Sequence, residues 1–449
     1  MFLYREKELN TLSIDGNVIV YGKRRVGKTS LIKEYIQSSG KTYYYFECLK
    51  TSLEENLYYM VNDLLRNKIL KYNINFDNFY DLFLFINSNY DEIVFVIDEF
   101  PYLKESENSK KVDSLFQKIM DECCNIKFII SGSHIGMMQD LLKEGNPLYG
   151  RFKNIINVEE FNYIESSYYY NSLSDYDKIA FYSVFGGSPF INESIDNRLS
   201  LKENIINLFL NEHSSVFNYA DNLLLSDASS KMNVKSILSL LSNSKLKYKD
   251  LEVVLDKEKT GKLAKQLNAL LELRIIKKVY PINKPNDSKK AYYEINDNVL
   301  RFYFTYIYKY KSSLNMLGPE AFYNEYIEKS INTYISHRFE EQARMYFSLL
   351  VKKSKLRGIK NIGTYYYDDS KNKKNGEFDV VLELDNGYAI YEVKYLTGKM
   401  SVSNVNKEIE QINNINGIRV FKIGFINPSG FEKEIENIDF IENIYNVLQ

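Results

Sequence analysis

The first 160 residues alternate between short apolar runs and longer segments in which apolar residues recur at helical spacing. The apolar runs have the length of buried strands rather than of helices. Strands that are hydrophobic throughout are typical of a parallel sheet covered by helices on both faces. The predicted strands are Asn17–Tyr21, Thr42–Cys48, Ile93–Ile97 and Ile126–Ser131. The pattern therefore predicts a doubly wound α/β domain.

From about Asn162 to Asp227 the helical spacing continues without strand-like runs. The sequence Gly186-Gly187-Ser188-Pro189 interrupts it, because consecutive glycines favour non-helical backbone and proline cannot continue a helix. We predict a small helical lid in this region.

Three short amphipathic helices and a hairpin are predicted next. The helices are Asn233–Leu241, Tyr248–Leu255 and Lys259–Leu273, and the strands are Ile275–Ile282 and Ala291–Ile295. Polar turn residues from Asn283 to Ser288 join the two strands. Three helices followed by a hairpin predict a winged helix-turn-helix.

The last part of the chain begins with a long helical pattern and continues with a second hairpin. Apolar residues recur every four positions between Pro319 and Lys352, which predicts one helix with a buried stripe. Gly376–Leu384 and Tyr388–Tyr395 are predicted strands around a turn at Asp385-Asn386-Gly387. We therefore divide the chain into an α/β domain at 1–160, a lid at 161–227, a winged helix at 228–315 and a final α/β domain at 316–449.

Composition excludes several classes of protein without selecting one. The hydrophobic fraction of 45% and the charged fraction of 26% are ordinary for a folded protein, and 449 residues exceed one usual core. Lys and Arg number 58 against 59 Asp and Glu, so a nucleic-acid partner must be met by a local patch. Cys48, Cys123 and Cys124 fit neither a disulfide framework nor a zinc site. The charged start and the lack of a membrane-length apolar run predict a cytoplasmic protein with no membrane partner.

A glycine-containing loop follows the first predicted strand. Gly22 and Gly27 stand before Lys28 and Thr29 at the spacing of a P-loop, and the predicted helix Ser30–Gln37 follows. In such a loop, backbone N–H groups surround phosphates, the lysine neutralises the β- and γ-phosphates, and the hydroxyl ligates Mg²⁺. A chance match is the alternative, and the flanking strand and helix disfavour it. The residues expected to contact ATP are Gly22, Lys23, Arg24, Arg25, Val26, Gly27, Lys28, Thr29 and Ser30.

Two acidic residues, Asp98 and Glu99, directly follow the predicted strand Ile93–Ile97. The carboxyl edge of a parallel sheet is where α/β folds bind their ligands. We expect Asp98 to hold Mg²⁺ and Glu99 to act as the general base that polarises the attacking water. An acidic pair after a strand also occurs in solvated turns, but its position after a P-loop favours the catalytic interpretation.

Four segments together resemble the archaeal-type ATPase family, a branch of the AAA+ and STAND P-loop proteins. They are Phe2–Leu9 with Arg5-Glu6, the P-loop with Arg24-Arg25, Asp98–Leu103, and Ser131-Gly132-Ser133. The resemblance covers about the first half of the chain. It implies that Arg5 and Glu6 lie near the adenine of ATP.

The same resemblance implies roles for residues outside the P-loop. Either Ser131 or Ser133 occupies the position that senses the γ-phosphate. Arg151 matches the family's Gly-Arg and is either an arginine finger or a surface arginine without a role. A finger would act in cis, or in trans if the protein forms a homo-oligomer. Pro189 resembles the last residue of the Gly-x-Pro turn with which the lid closes on the nucleotide.

The predicted winged helix carries a local excess of positive charge. Residues 231–290 contain fifteen Lys or Arg and six Asp or Glu. The residues that its third helix would present to DNA are Lys259, Thr260, Lys262, Lys265, Gln266 and Asn268. A DNA-binding surface and a solvated packing module both fit this pattern.

The second hairpin carries two acids and a lysine. If Asn386-Gly387 is a two-residue turn, Asp379 lies opposite Lys394, and Glu392 shares their face. Acids that hold Mg²⁺ or Mn²⁺ beside a lysine suit phosphodiester hydrolysis. The alternative is a surface hairpin with a weak cross-strand ion pair.

Asp379 followed by Glu392-Val393-Lys394 resembles the PD-(D/E)xK pattern of the restriction-endonuclease-like fold, although the leading proline is absent. Glu340 matches the helix glutamate of that pattern, and Gln411 is a weaker match. The resemblance implies a metal held by Glu340, Asp379 and Glu392, with Lys394 as the catalytic lysine.

These interpretations combine into one hypothesis. ATP and Mg²⁺ at the P-loop control a switch that acts on DNA through the winged helix and a C-terminal metal-dependent nuclease-like domain. The alternative is a STAND-like signalling or remodelling ATPase that cleaves nothing.

Overall fold

The computed structural model describes residues 4–105, 109–227, 234–256, 260–285, 287–369, 374–415 and 417–447. They form two compact units. One comprises residues 1–160 with 188–190, and the other comprises residues 161–187 with 191–449. Four positions used in the predictions, Phe2, Asn233, Lys259 and Asn286, lie outside the described residues.

The first unit is built on a five-stranded parallel sheet with the strand order β2-β3-β4-β1-β5. Its elements are α1 (Glu6–Ser13), β1 (Val18–Tyr21), α2 (Lys28–Ser38), β2 (Tyr43–Glu47), α3 (Leu53–Arg66), α4 (Phe79–Asn89), β3 (Ile93–Asp98), α5 (Pro101–Glu105), α6 (Ser109–Glu122), β4 (Ile126–Gly132), α7 (Ile135–Asp140) and β5 (Asn154–Asn157). The four predicted strands and the parallel α/β class are confirmed. The fifth strand was not predicted, because Asn154–Asn157 is short and only one of its residues is buried.

Successive residues of the central strands face two different cores. Ile19, Phe95 and Ile97 belong to one buried cluster, whereas Val18 and Val94 belong to another. Because side chains alternate along a strand, helices must cover both faces of this sheet. The doubly wound arrangement follows from that alternation.

The second unit begins with helices and ends with a mixed sheet of order β12-β11-β10-β9-β8. Its elements are α8 (Tyr163–Ser167), α9 (Asp175–Phe185), α10 (Pro189–Asn192, which starts in the first unit), α11 (Leu201–Ile205), α12 (Tyr219–Asp227), α13 (Val234–Leu241), α14 (Tyr248–Leu255), α15 (Lys262–Glu272), β6 (Ile276–Val279), β7 (Tyr292–Ile295), α16 (Asn298–Phe302), α17 (Lys311–Leu317), α18 (Pro319–Tyr326), α19 (Ile331–Lys352), β8 (Asn361–Asp369), β9 (Lys374–Leu384), β10 (Gly387–Val393), α20 (Val402–Asn413), β11 (Val420–Ile426) and β12 (Ile438–Ile441). The helix break at Gly186–Pro189 and the antiparallel hairpin β6–β7 agree with the prediction.

The prediction of one helix from Pro319 to Lys352 was wrong, since the chain turns between α18 and α19. A spacing of four residues drifts by about 40° per repeat around a helix of 3.6 residues per turn. A single straight helix therefore cannot keep the whole stripe on one face. The turn lets Ile327 and Ile331 both be buried.

The predicted register of the β9–β10 hairpin was also wrong, by two residues. Leu384 pairs with Gly387 and Val380 with Tyr391, so the two-residue turn is Asp385-Asn386. Gly387 lies in the strand rather than in the turn, and a Cβ there would be 2.3 Å from the Arg419 carbonyl oxygen. Because strand side chains alternate with a period of two, a two-residue shift leaves the same residues on the same face.

Two buried ionic contacts hold parts of the second unit together. Burial alone raises the pKa of the Asp221 carboxyl, but hydrogen bonds from Lys235, Lys311 and Tyr303 outweigh it and hold that pKa at about 2. A second network, with Glu341 on α19 at its centre, joins the hairpin β6–β7 to that helix.

Candidate functional site

The P-loop connects the buried end of β1 to the start of α2. Gly22 packs so closely against the chain after β5 that a Cβ there would lie 2.2 Å from the Val158 carbonyl oxygen. Gly27 adopts φ +92° directly before α2. These two positions explain why the loop needs glycine. The loop ends on a helix N-terminus, which favours binding of phosphate.

Lys28 is buried and its ammonium donates to main-chain oxygens of its own loop. The distances are 2.9 Å to the Gly22 oxygen and 2.8 Å to the Lys23 oxygen. A lysine in this place needs to rotate only its side chain to reach a phosphate above the loop. The structure therefore places Lys28 where the P-loop spacing predicted it.

The Asp98 carboxylate at the end of β3 accepts hydrogen bonds from three hydroxyl groups. Thr29 donates to Oδ2 from 2.8 Å, Tyr45 donates to the same oxygen from 2.6 Å, and Ser131 donates to Oδ1. Burial and the Asp98 charge raise the pKa of the Tyr45 hydroxyl, so it stays a donor at neutral pH. Thr29 and Asp98 are thus together, as predicted.

Glu99 stands apart from Asp98 because its backbone adopts φ +51°, a region that non-glycine residues rarely occupy. Ser133 holds its carboxylate with the hydroxyl at 2.9 Å and the backbone N–H at 3.2 Å. Strained backbone that is held by specific hydrogen bonds is common at catalytic sites. Of the two predicted sensor residues, Ser131 contacts Asp98 and Ser133 contacts Glu99.

The segment Ser188–Phe190 lies against the P-loop. The ring of Phe190 packs against the Arg25 guanidinium, and the distance from the guanidinium carbon Cζ to the ring centroid is 3.9 Å. Pro189 lies 3.9 Å from the position that a Gly27 Cβ would take. Pro189 therefore lies beside the P-loop, and its role in closing a lid on the nucleotide stays a prediction.

Three other residues that were predicted to contact the nucleotide, Arg5, Glu6 and Arg24, lie in different surroundings. Arg5 is buried and donates to the Glu159 carbonyl oxygen at 2.5 Å, next to the chain that packs on Gly22. Glu6 is the exposed first residue of α1. Arg24 reaches Ser133 at 3.4 Å, so it lies on the side of the P-loop that faces Glu99.

Arg151 is not brought to the P-loop. It forms a two-pronged ion pair with Asp121, at 3.2 and 3.1 Å, and its carbonyl oxygen accepts from Asn17. Asn17 precedes β1, whereas the P-loop follows β1, so Arg151 lies at the opposite edge of the sheet. A role within the same protomer is therefore excluded by position, and the trans role stays a prediction.

A carboxylate pair, a hydroxyl and a lysine around a helix N-terminus suit the binding of a nucleoside triphosphate with Mg²⁺. The donor set of Thr29 and Asp98 consists of hard oxygen atoms, which fit that cation. Tyr45 was not predicted as part of this site. Its only signal in the sequence is its place in a run of three consecutive tyrosines in a predicted strand.

A second group of charged residues lies on the mixed sheet of the second unit. Continuing the observed register places Asp379 opposite Glu392 rather than opposite Lys394. Burial raises the pKa of Asp379 well above its usual range, and the charges of Glu340 and Glu392 raise it further. Burial likewise raises the pKa of Glu392 to about 7. These carboxyl groups are therefore close enough for the charge of one to raise the pKa of another.

Each member of this group has a protein partner. Lys394 contacts Glu392 at 3.5 Å and Glu408 of α20 at 3.1 Å, while Glu340 contacts His337 at 3.2 Å. Among the described residues, no three His, Cys, Asp or Glu side chains are arranged to hold a metal ion. The carboxylates Glu340, Asp379 and Glu392 would have to turn toward one another to do so. Glu408 was missed in the sequence, and Gln411 instead donates to the Tyr367 hydroxyl.

The parallel sheet, the P-loop and the acidic strand end define the first unit as a P-loop nucleotide-binding fold. Residues 2–195 match the sequence model of a family described as an ATPase domain predominantly from Archaea. This part of the chain is thus similar to archaeal ATPase domains. Residues 303–411 match a second family, described as "Archaea bacterial proteins of unknown function".

Two known proteins are similar over larger parts of the chain. An uncharacterized protein of Methanocaldococcus jannaschii is 27% identical over 376 residues, which are 79% of each chain. The Walker-type ATPase of Pyrococcus abyssi has a solved structure that superimposes with a TM-score of 0.51 at 17% identity, covering 68% of this chain and 96% of the other. The second likeness supports the fold alone. No helix among the described residues is long and apolar enough to cross a membrane.

Proposed function

We propose that the first unit hydrolyses ATP with Mg²⁺ at the site formed by Lys28, Thr29, Asp98 and Glu99. One observation carries the proposal: the Thr29 hydroxyl and the Asp98 carboxylate meet at 2.8 Å beside the P-loop lysine. A residue from the helix after the loop and a residue from a separate strand thus bring two hard oxygen ligands to one place beside the loop, as a shared Mg²⁺ requires. Mg²⁺ bound by these oxygens supplies positive charge against the phosphates.

The protein residues then have distinct roles. Lys28 turns from its own loop toward the β- and γ-phosphates, and the N–H groups at the start of α2 hold their oxygens. Glu99 accepts the proton of the attacking water, and Ser133 keeps its carboxylate in position. Ser131 holds Asp98. Arg5, Glu6 and Pro189 are proposed to bound the nucleotide.

Phosphate release by purified protein tests the proposal. Lys28→Ala is expected to abolish turnover, whereas Glu99→Gln is expected to bind ATP and lose about 10²–10⁴-fold in turnover. Lys143→Ala is a matched control, because that lysine is exposed on a loop outside the site. Full turnover in Lys28→Ala would overturn the site, and full turnover in Glu99→Gln would overturn the general base.

The ATPase is further proposed to be the control element of a switch that acts on DNA. Support comes from the three helices and hairpin of residues 234–295, which contain fourteen Lys or Arg and seven Asp or Glu. Helix α15 buries Leu263 and Leu267 while Lys262 and Lys265 are exposed. Lys262→Glu with Lys265→Glu is expected to weaken duplex binding and its salt dependence. Unchanged binding would remove α15 from the DNA surface.

A second candidate activity, metal-dependent phosphodiester cleavage, is favoured by the convergence of Asp379, Glu392 and Lys394 on one sheet face. Plasmid cleavage with Mn²⁺ and ATP tests it, with Glu392→Ala as the key variant and Glu410→Ala, on the exposed face of α20, as its control. Cleavage lost in Glu392→Ala and in Lys28→Ala supports an ATP-controlled nuclease. Absence of cleavage in the wild type favours the alternative, a STAND-like signalling or remodelling ATPase.

A trans role of Arg151 requires a homo-oligomer. It predicts that turnover per protomer rises with protein concentration and that Arg151→Ala abolishes the rise. Turnover that is independent of concentration in both proteins would leave Arg151 as a surface residue paired with Asp121.

A further inference from the structure

A cleft of about 710 Å³ opens in the second unit, and none of its described lining residues belongs to α15. The segment before α14 and the turn after β6 form one wall, and β8 with β9 forms the other. The residues that give it its character are Lys245, Lys247, Lys284, Lys290, Tyr292 and Tyr366. We call it the lysine–tyrosine cleft.

The charge of the lysine–tyrosine cleft is strongly one-sided. Four lysines line it, and among the described lining residues Glu377 is the only acid. Glu377 forms an ion pair with Lys245, with 2.6 Å between the carboxylate oxygen and the ammonium nitrogen. The lining therefore carries a net positive charge in a chain whose formal net charge is −1. Such a local excess attracts a polyanion.

Aromatic rings occupy the space between these lysines. The rings of Tyr292 and Tyr366 are stacked, with 5.4 Å between centroids and 20° between planes. The Lys245 ammonium lies 4.9 Å from the Tyr366 centroid, and the Lys247 ammonium lies 5.1 Å from that of Tyr292. Flat rings next to cations suit a ligand that carries both bases and phosphates, because the rings stack on bases and the cations attract phosphates.

Two hydrogen bonds tie the two walls of the cleft together. The Ile282 backbone N–H donates to the Thr364 carbonyl oxygen at 2.8 Å, and the Asn283 side-chain amide donates to the Tyr366 carbonyl oxygen at 2.9 Å. Ile282 is also buried in the core of the mixed sheet. The walls are thus held in place before any ligand arrives, which lowers the entropic cost of binding.

We propose that the lysine–tyrosine cleft binds an unpaired nucleic-acid strand. Its lysines contact phosphates, and its tyrosines stack on bases. Bases within a duplex already stack on each other, so their faces are available to tyrosine only when the strand is single. The occupant is therefore distinct from the duplex proposed for α15, and binding does not depend on ATP hydrolysis.

The position of the cleft along β9 connects strand binding to the carboxylates of the mixed sheet. Glu377 lines the cleft, and Asp379 stands two residues further along the same strand, next to a register shift in the pairing of β8 with β9. A strand bound in the cleft would run toward those carboxylates. This last connection rests on the proposed nuclease-like site, whereas strand binding does not.

Fluorescence anisotropy tests the proposal with the full chain, a labelled oligothymidine of about 20 nucleotides and a duplex of equal length. EDTA and the absence of ATP exclude cleavage and nucleotide control. We expect the single strand to bind more tightly than the duplex. Lys284→Glu with Lys290→Glu, both exposed lysines, should weaken strand binding and flatten its salt dependence by about 0.7 per lost phosphate contact.

Two further variants separate stacking from charge. Tyr292→Leu should weaken strand binding about 5- to 150-fold, and Tyr292→Phe, which keeps the ring, should bind as the wild type. If Tyr292→Leu fails to fold, as judged by its thermal melt, the exposed lysine variants decide the question. Lys262→Glu with Lys265→Glu on α15 should leave strand binding intact.

Four results would overturn the inference. They are the absence of strand binding by the wild type, unchanged binding in the cleft variants, an equal loss in the distant control Lys143→Glu, and displacement of the strand by a mononucleotide of equal affinity. The last result would assign the cleft to a small nucleotide. Full ATP turnover in the separate Lys28→Ala experiment would overturn the ATPase site but would leave strand binding unaffected, so the two proposals fail independently.

Discussion

A buried ion pair holds the segment that follows Asp98 and Glu99, and its removal should be costly. Lys104 on α5 contacts Asp113 on α6 at 2.8 Å, and both side chains are 2% exposed. Asn146 donates to the same Asp113 oxygen at 3.0 Å. Removing one member leaves a buried charge without its counterion, which costs about 3–5 kcal/mol. For a unit of this size, that lowers the melting temperature by about 6–20 °C.

Urea unfolding and calorimetry of Lys104→Met, Asp113→Leu and the double variant measure this energy. Each single variant should lose about 3–5 kcal/mol, whereas the double variant should lose much less, because it buries no unpaired charge. A matched surface pair, Lys143 with Asp140, should contribute under about 1 kcal/mol. Single losses below about 1 kcal/mol at Lys104, or a double variant as unstable as the sum of both, would refute the reasoning.

Three other substitutions have defined outcomes. Asp221→Asn should cost about 1–2 kcal/mol at pH 7 after a discount for solvent screening. The folded pKa of about 2 lies below the unfolded value near 3.9, so in urea titrations the difference should shrink as the pH falls from about 4 toward 2. Gly187→Ala places a Cβ 1.8 Å from the Phe161 carbonyl oxygen and should lower thermal stability by about 1–3 kcal/mol, whereas Gly398→Ala, with no atom within 4 Å, should not. Tyr45→Phe removes a hydrogen bond to the carboxylate at the end of β3 and should lower the unfolding free energy of the metal-free protein by about 1.5–3 kcal/mol.

The nucleotide site was predictable because its information is local. The residues from Gly22 to Thr29 are contiguous, and Asp98 directly follows an apolar run, so spacing and order sufficed. Tyr45 and the Glu99–Ser133 contact depend on which strands are neighbours in the sheet. The order β2-β3-β4-β1-β5 brings Tyr45 and Ser131 to Asp98 from the two strands beside β3. No periodicity along the chain encodes that order.

The hairpin β9–β10 shows a different limit. Turn chemistry favoured Asn386-Gly387 as the two central residues, but Gly387 is needed in the strand, where the Arg419 carbonyl oxygen approaches it closely. Contact with β11 therefore decided a register that the hairpin alone left open. Asp379, Glu392 and Lys394 were still predicted to share one face of the hairpin. A register that is wrong by two residues changes which residues lie opposite each other, but it does not change which face each side chain is on.

The ion pairs formed by Glu341 on α19 connect that helix to the hairpin β6–β7. Glu341 accepts ion pairs from Lys277 of β6 and from Arg338, and Lys277 also contacts Glu294 of β7 at 3.3 Å. These side chains are 12–28% exposed, so separating the hairpin from α19 would cost more than the loss of a surface ion pair and less than the loss of a fully buried one. The ion pairs therefore couple the hairpin to α19, and Glu340 is the adjacent residue on that helix.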